Sequence, residues 1–274
     1  MPELPEVETI RKTLKTVLIG KEVKDITVYW PKIIQKPDDT NLFKETLQGQ
    51  ILEDIKRKGK FLIFEWTDIV MVSHLRMEGK YGIFDENEPI KKHTHVIFHF
   101  RDHTELRYND VRKFGTMHLF KKGQETTQKP LSLLAPDPFE PNFSYNLFEK
   151  KIQSSSRVIK NILLDQAVIA GIGNIYVDET LFLAGVHPLT LGNKLKKKQI
   201  RAIFDAAVIT LEKAIAEGGT TIRSYVNTEG EIGMFQQQLN VYKQEGKPCK
   251  KCSNIIEKIK VNGRGTHYCP TCQS

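Results

Sequence analysis

No run of this sequence approaches the ~18–20 consecutive apolar residues that a helix needs to cross a bilayer, so no membrane span is expected. The opening Met-Pro-Glu-Leu-Pro-Glu has neither a basic stretch nor an apolar core, which argues against a secretory signal and for a reducing compartment. Internal repeats and low-complexity tracts are absent. Cysteine is scarce, with four residues in 274 and none before Cys249. What remains, 39% hydrophobic and 27% charged residues, is the composition of an ordinary globular protein, not a disordered one. The length allows two domains and a small appendage.

The four cysteines fall as Cys249-x-x-Cys252 and Cys269-x-x-Cys272, with sixteen residues between the pairs. Each C-x-x-C can close a tight knuckle that points two sulfurs at one ion, and the segment between can return as a hairpin. The spacing fits a four-thiolate zinc site; two thiol pairs or two disulfides are the alternatives. One Zn2+ held by four sulfurs would be structural, because no coordination position stays open for substrate or water. The segment from Gln236 onward is too short and too polar to supply its own core. A structural zinc contributes an apparent ~10–16 kcal/mol in finger peptides, enough to decide whether such a segment folds.

The formal charge of +8 points only loosely to a polyanionic partner, since many soluble enzymes are as basic. From Gln236 to Ser274, however, six lysines and one arginine face only Glu245 and Glu257. Even after four thiolates around Zn2+ are counted, the hairpin tip stays positive. It suits either a nucleic-acid contact or a solvated surface.

Val7, Ile10, Leu14, Val17 and Leu18 recur at helical spacing, Pro5 suits a first turn, and Gly20 can end the helix. Short β-branched and aromatic runs follow at 23–30, 51–56, 60–66, 69–75, 95–100, 104–108 and 116–120, separated by polar turns, which predicts an antiparallel sandwich or barrel. Pro130, Pro136, Pro138 and Pro141 mark a boundary. Beyond it the pattern turns helical, with Ile200, Ile203, Phe204, Ala207, Val208, Leu211, Ala214 and Ile215 on one face of a long helix that ends at Gly218-Gly219. Gly171-Ile172-Gly173-Asn174 precedes another helical run. It is either a simple turn or a helix start whose free backbone N–H groups await a phosphate.

Five stretches must be explained together: residues 2–9 (Pro-Glu-Leu-Pro-Glu-Val-Glu-Thr), 74–79 (His-Leu-Arg-Met-Glu-Gly), 112–115 (Arg-Lys-Phe-Gly), Gly171–Tyr176, and 264–273 (Arg-Gly-Thr-His-Tyr-Cys-Pro-Thr-Cys-Gln). Together they resemble the bacterial formamidopyrimidine-DNA glycosylases, which act on 8-oxoguanine and as abasic-site lyases. The resemblance runs from residue 2 to residue 273. It implies an α+β fold: an N-terminal antiparallel β-sandwich with flanking helices (1–135), a helix–two-turn–helix domain (136–235) and a zinc-ribbon finger (236–274).

The resemblance also implies roles. With Met1 removed, Pro2 is a secondary α-amine, and α-amino groups titrate near ~7.7–8.0, so a useful fraction is nucleophilic at neutral pH. Pro2 is then the nucleophile and Glu3 the carboxyl that exchanges a proton with the opening sugar. Lys60 serves β-elimination and a phosphate, and Arg264 serves δ-elimination. A base inside duplex DNA must be flipped out, so Met77, Arg112 and Phe114 are expected to fill the hole, face the orphaned cytosine and wedge the stack. Asn174 joins the phosphate grip, and His74, His93, Lys160, Tyr242 and Lys258 are further expected DNA contacts. Glu78, Thr220 and Tyr225 are expected at the lesion pocket, the last two in a loop that closes over the base. Cys249, Cys252, Cys269 and Cys272 hold one structural Zn2+. The implied partner is double-stranded DNA containing an oxidised purine, engaged by a monomer in the bacterial cytoplasm with no membrane involved.

Two positions depart from the family pattern. Ser253-Asn254 follows Cys252 where glycine is common, and Ser156 stands where some relatives carry a DNA-binding lysine. Endonuclease VIII, of the same fold but directed at oxidised pyrimidines, is the nearest rival reading; Leu4, Met77 and the Arg112–Phe114 loop favour the purine enzyme. A zinc-ribbon protein that binds DNA without chemistry is the rival from another class.

Overall fold

The computed structural model describes residues 1–220 and 234–274. These residues fall into two compact units, one holding Met1–Pro2 and Glu6–Ser132 and the other Glu3–Pro5, Leu133–Thr220 and Met234–Ser274.

The first unit is a β-sandwich, which settles the choice between sandwich and barrel. One sheet runs β1-β7-β8-β6, from Val23–Val28 (β1), Thr94–Phe100 (β7), Thr104–Asn109 (β8) and Lys80–Asp85 (β6), all antiparallel. The other runs β2-β9-β5-β4-β3, from Ile34–Lys36 (β2), Thr116–Lys121 (β9), Ile69–His74 (β5), Phe61–Trp66 (β4) and Leu52–Lys58 (β3); only the β2–β9 pair is parallel. Period-2 alternation sends Phe64 and Trp66 of one sheet inward against Tyr81 and Phe98 of the other, with ring centroids 5.4 and 6.4 Å apart. Helix α1 (Leu4–Leu18) adds Val7, Ile10, Leu14 and Leu18 to that core, all buried. Val17, expected on the same face, lies only about 20° round the helix from Ile10 but is exposed, at the edge of the stripe in the last turn. Helix α2 (Thr40–Leu47) starts where Asp39 accepts the N–H groups of Asn41 and Leu42. Strands β2 and β6 went unread in the sequence. Gly82 and a lysine at the first position weaken β6 as a strand pattern, yet it pairs residue for residue with β8 from Lys80↔Asn109 to Asp85↔Thr104.

The second unit is helical: α3 (Tyr145–Gln153), α4 (Ile159–Leu163), α5 (Asn174–Ala184) and α6 (Lys197–Ala216). The periodic face read for α6 is the buried one at Ile200, Ile203, Ala207, Leu211 and Ala214. Helix α5 has no such face, because Tyr176 through Phe182 are all buried. It is the central strut of its unit and brings polar Asp178 and Glu179 into the interior with its apolar residues. The unit ends in an antiparallel hairpin, β10 (Glu257–Val261) and β11 (Arg264–Tyr268), packed on α5 through Phe182, Val241, Ile256, Cys249 and Cys269.

Candidate active site and nucleic-acid interface

The two C-x-x-C knuckles bring four sulfurs to one point. All four Sγ atoms lie within 4.8 Å of one another, with Cys249–Cys272 at 3.9 Å and Cys252–Cys269 at 3.5 Å. Those distances exclude disulfides, whose sulfurs sit about 2.05 Å apart. They match the edge of about 3.8 Å that a tetrahedron with ~2.3 Å Zn–S bonds requires. Without a counter-ion, thiolate charge is disfavoured here: hydrogen bonding to the Cys252 thiol, then burial, holds the proton on Cys272 and pushes it up to about 12. A cation that replaces those protons removes the conflict, so the four cysteines form the site of one structural zinc. In the first knuckle Ser253 takes the left-handed conformation, at φ 66°, and donates its N–H to Cys249 O at 2.9 Å. The strained position is therefore Ser253 and not Asn254, at a cost of about 1 kcal/mol relative to glycine.

The hairpin rising from this knuckle turns at Asn262-Gly263 and puts exposed Arg264 at its tip. The neighbouring Gly265 carbonyl accepts from Asn174 Nδ2 at 3.0 Å and from Lys160 Nζ at 3.2 Å. Lys160 is fully buried and paired with Asp178 at 2.7 Å; burial lowers its pKa and the Asp178 carboxylate works against that. Its side chain has no surface to offer DNA, so the contact expected of it is replaced by support of the hairpin. Asp178 also accepts the His267 N–H at 2.9 Å. One residue along, Glu179 accepts the backbone N–H groups of Asn240, Val241 and Tyr242, each at about 3 Å, and fixes the chain that leads into the finger. Burial, then the nearby Glu3 charge, pushes the Tyr242 phenol above its ordinary range. Lys258 is exposed and pairs with Glu245 at 2.8 Å.

The N-terminus of α5 does bind an anion, but the anion belongs to the chain. Glu3 accepts the N–H groups of Gly173 at 2.7 Å, Ile175 at 3.0 Å and Tyr176 at 3.4 Å, across 170 residues of sequence for the first. These are the orphan donors that every helix start leaves, and the helix dipole favours negative charge there. The phosphate reading of Gly-x-Gly-Asn thus had the donors right and the occupant wrong. Gly173 is required by space, since a Cβ there would lie 2.6 Å from Glu3 Oε2. Gly171, at φ 93°, hands its carbonyl to the Leu4 N–H at 3.1 Å and completes the dock. Pro2 is half-buried immediately before Glu3.

In the first unit, Lys60 is buried just past the Gly59 turn. Buried His74 ends β5; its Nδ1 accepts the Arg76 N–H at 2.8 Å, and its ring meets Phe61 edge-on at 4.4 Å. Burial, then the Arg76 and Lys60 charges, pushes it down to about 3, so it is a neutral acceptor at physiological pH. Arg76, at φ 55°, follows and leaves Met77 and Glu78 exposed. The other candidate loop is organised by Asp110, a residue the sequence reading passed over. Its carboxylate, fully buried, accepts the N–H groups of Arg112 at 3.0 Å, Phe114 at 2.8 Å and Gly115 at 2.9 Å. Exposed Phe114 carries the Arg112 guanidinium over its ring at 4.7 Å. The Tyr108 ring fills the space that Gly79 and Gly115 leave, where Cβ atoms would sit 3.0 and 2.6 Å from its Cζ, and so it packs against the bases of both loops. His93 is half-buried at φ 68°. Thr220 is buried, and Tyr225 lies outside the described residues. An aspartate two residues before Arg112 is the kind of signal that could have disclosed the Asp110 turn.

Comparison with known proteins matches residues 1–117 to the formamidopyrimidine-DNA glycosylase N-terminal domain, 134–226 to the formamidopyrimidine-DNA glycosylase H2TH domain, and 246–274 to a zinc finger found in FPG and IleRS. The chain belongs to the formamidopyrimidine-DNA glycosylase family. It is 53% identical over 273 residues to the enzyme of that name from Bacillus cereus, covering 100% of this chain and 99% of the relative. To the one from Oceanobacillus iheyensis it is 55% identical, covering 100% and 98%. The Lactococcus lactis protein bound to DNA with an abasic site superposes with a TM-score of 0.92 at 40% identity, covering 99% of each chain. Its complex with N7-benzyl-Fapy-dG DNA gives 0.93 at 41%, again covering 99% of each. The expected fold class, β-sandwich, helix–two-turn–helix and zinc finger, is the one found in this family.

Proposed function

We propose that this chain is a bifunctional DNA glycosylase that removes oxidised purines, 8-oxoguanine and formamidopyrimidines, from duplex DNA and then cleaves the abasic strand. The observation that carries the reading is the docking of Glu3 on the first turn of α5, which fixes a carboxylate beside the only residue able to present a secondary amine. The Pro2 nitrogen forms a bond to C1′ as the glycosidic bond breaks, and the base leaves with the bonding pair and takes up a proton. Glu3 delivers a proton to the ring oxygen as the sugar opens, while the amine loses its own, giving an iminium. That electron sink acidifies C2′; loss of a C2′ proton expels the 3′ phosphate, a second proton loss expels the 5′ phosphate, and water releases Pro2. Lys60 is assigned to the first elimination and Arg264 to the second.

In the same reading residues 1–135 carry the nucleophile, 136–235 and 236–274 grip duplex DNA, and the protein works as a monomer in the bacterial cytoplasm. Exposed Met77, Arg112 and Phe114 replace the flipped base, on loops held by His74 and Asp110. Asn174, Tyr242, His93 and Lys258 contact the backbone, with Glu78, Thr220 and Tyr225 at the lesion. Among the described residues no helix is long and apolar enough to cross a membrane.

Borohydride should trap the protein on duplex carrying 8-oxoguanine opposite cytosine, with the adduct mapped to Pro2, and protein retaining Met1 should bind but not trap. Absence of an adduct from processed protein, or a preference for thymine glycol, refutes the assignment.

A further inference from the structure

The zinc does not by itself explain where Arg264 points. Cys269 follows the last residue of β11, so the metal holds the base of the hairpin, and Arg264 lies five residues away, about 17 Å along an extended strand. A lone two-stranded hairpin is marginal in water, so its far end needs a second anchor. The structure supplies one at Gly265, whose carbonyl is held by Asn174 Nδ2 and Lys160 Nζ. Lys160 is oriented by Asp178, and Asp178 accepts the His267 N–H from the same strand.

Both charges of this pair are 0% exposed. Buried ion pairs of this kind often contribute less stability than apolar residues of the same volume, which makes fold maintenance alone a poor account of it. Their use is geometric. A lysine ammonium presents three donors; Asp178 takes one and a strand carbonyl another. The pair therefore converts the position of α5 into the position of the residue next to Arg264.

We infer that Lys160 and Asp178 are positioning residues for Arg264, setting the second elimination without touching DNA. The inference rests on Arg264 serving that step. The test uses full-length zinc-loaded protein and a duplex with an abasic site, resolving the β- and δ-elimination products on a denaturing gel. Lys160→Met and Asp178→Asn should each lower the δ-to-β ratio about tenfold or more, while borohydride trapping at Pro2 and zinc content stay at wild-type levels. Should either single change unfold the finger by stranding a buried charge, Lys160→Met/Asp178→Leu removes both charges together and must show the same shift. Lys160→Arg, which keeps the charge and donors, should recover part of the ratio. Arg264→Ala runs alongside. If it leaves the ratio unchanged, the role given to Arg264 is wrong. If it lowers the ratio and the folded Lys160 and Asp178 variants do not, the positioning role is wrong.

Discussion

Replacing Gly173 with alanine is the most direct test of the docked carboxylate. Gly173 has extended backbone, at φ −126° and ψ −159°, which alanine adopts without strain, so any effect comes from the added methyl group. That Cβ would sit 2.6 Å from Glu3 Oε2, whereas ordinary contacts begin near 3.4 Å, so the carboxylate must retreat by roughly 1 Å. The retreat breaks or lengthens charge-assisted bonds that now stand at 2.7 and 3.0 Å. Each is worth about 1.5–3 kcal/mol, giving an expected loss of about 2–4 kcal/mol from the second unit. A displacement of ~1 Å at a reacting group can cost about a hundredfold in rate. Single-turnover excision of 8-oxoguanine should therefore fall by about that factor, and denaturant unfolding should show the stability loss. Gly123→Ala is the control, because its φ of 87° brings backbone strain of about 1–2 kcal/mol but no atom lies within 4 Å of the new methyl group. The reasoning fails if Gly173→Ala unfolds within about 0.5 kcal/mol of wild type and excises at the wild-type rate.

Two further outcomes are expected. A strong chelator should free four titratable thiols and abolish DNA binding and strand cleavage together, since a structural zinc contributes about 10–16 kcal/mol to a segment with little core of its own; undiminished activity in demonstrably metal-free protein contradicts this. His74 is neutral in the fold, with its pKa pushed down to about 3 from 6.5, so its contribution to stability is present in full above pH 6.5 and drains away as the pH falls toward 3. It should add up to about 1.4 kcal/mol per pH unit to the acid sensitivity of the first unit. His74→Gln, which keeps an acceptor for the Arg76 N–H without titrating in that range, should flatten the urea-unfolding stability profile there; an unchanged slope contradicts the assignment.

Local patterns were legible in the sequence. The C-x-x-C spacing, the face of α6 and most strands depend on periodicity within a few residues, and they sit where that periodicity puts them. What escaped depends on distance or on buried polarity. Strand β6 is disguised by Gly82, which matters only once Phe84 is folded over it. Asp110 and Asp178 look like surface acids until the N–H groups they accept are in place. Lys160 is expected as a DNA contact from the family resemblance alone, and only the packing of α4, α5 and β11 shows it enclosed. The Gly-x-Gly-Asn turn was half readable: its free donors follow from helix geometry, but the carboxylate that fills them comes from the other end of the chain.

Helix α5 touches both ends of the proposed chemistry. Its first turn holds the Glu3 carboxylate, and Asn174 and Asp178, one turn apart, hold the strand that carries Arg264. The helix thus serves as a common datum for two groups that act on different bonds. A backbone shift in α5 moves both references at once, so excision and strand cleavage cannot be retuned independently by sliding this element. Divergence between them has to come through side chains at the two ends, which confines the routes by which a descendant could lose one activity and keep the other.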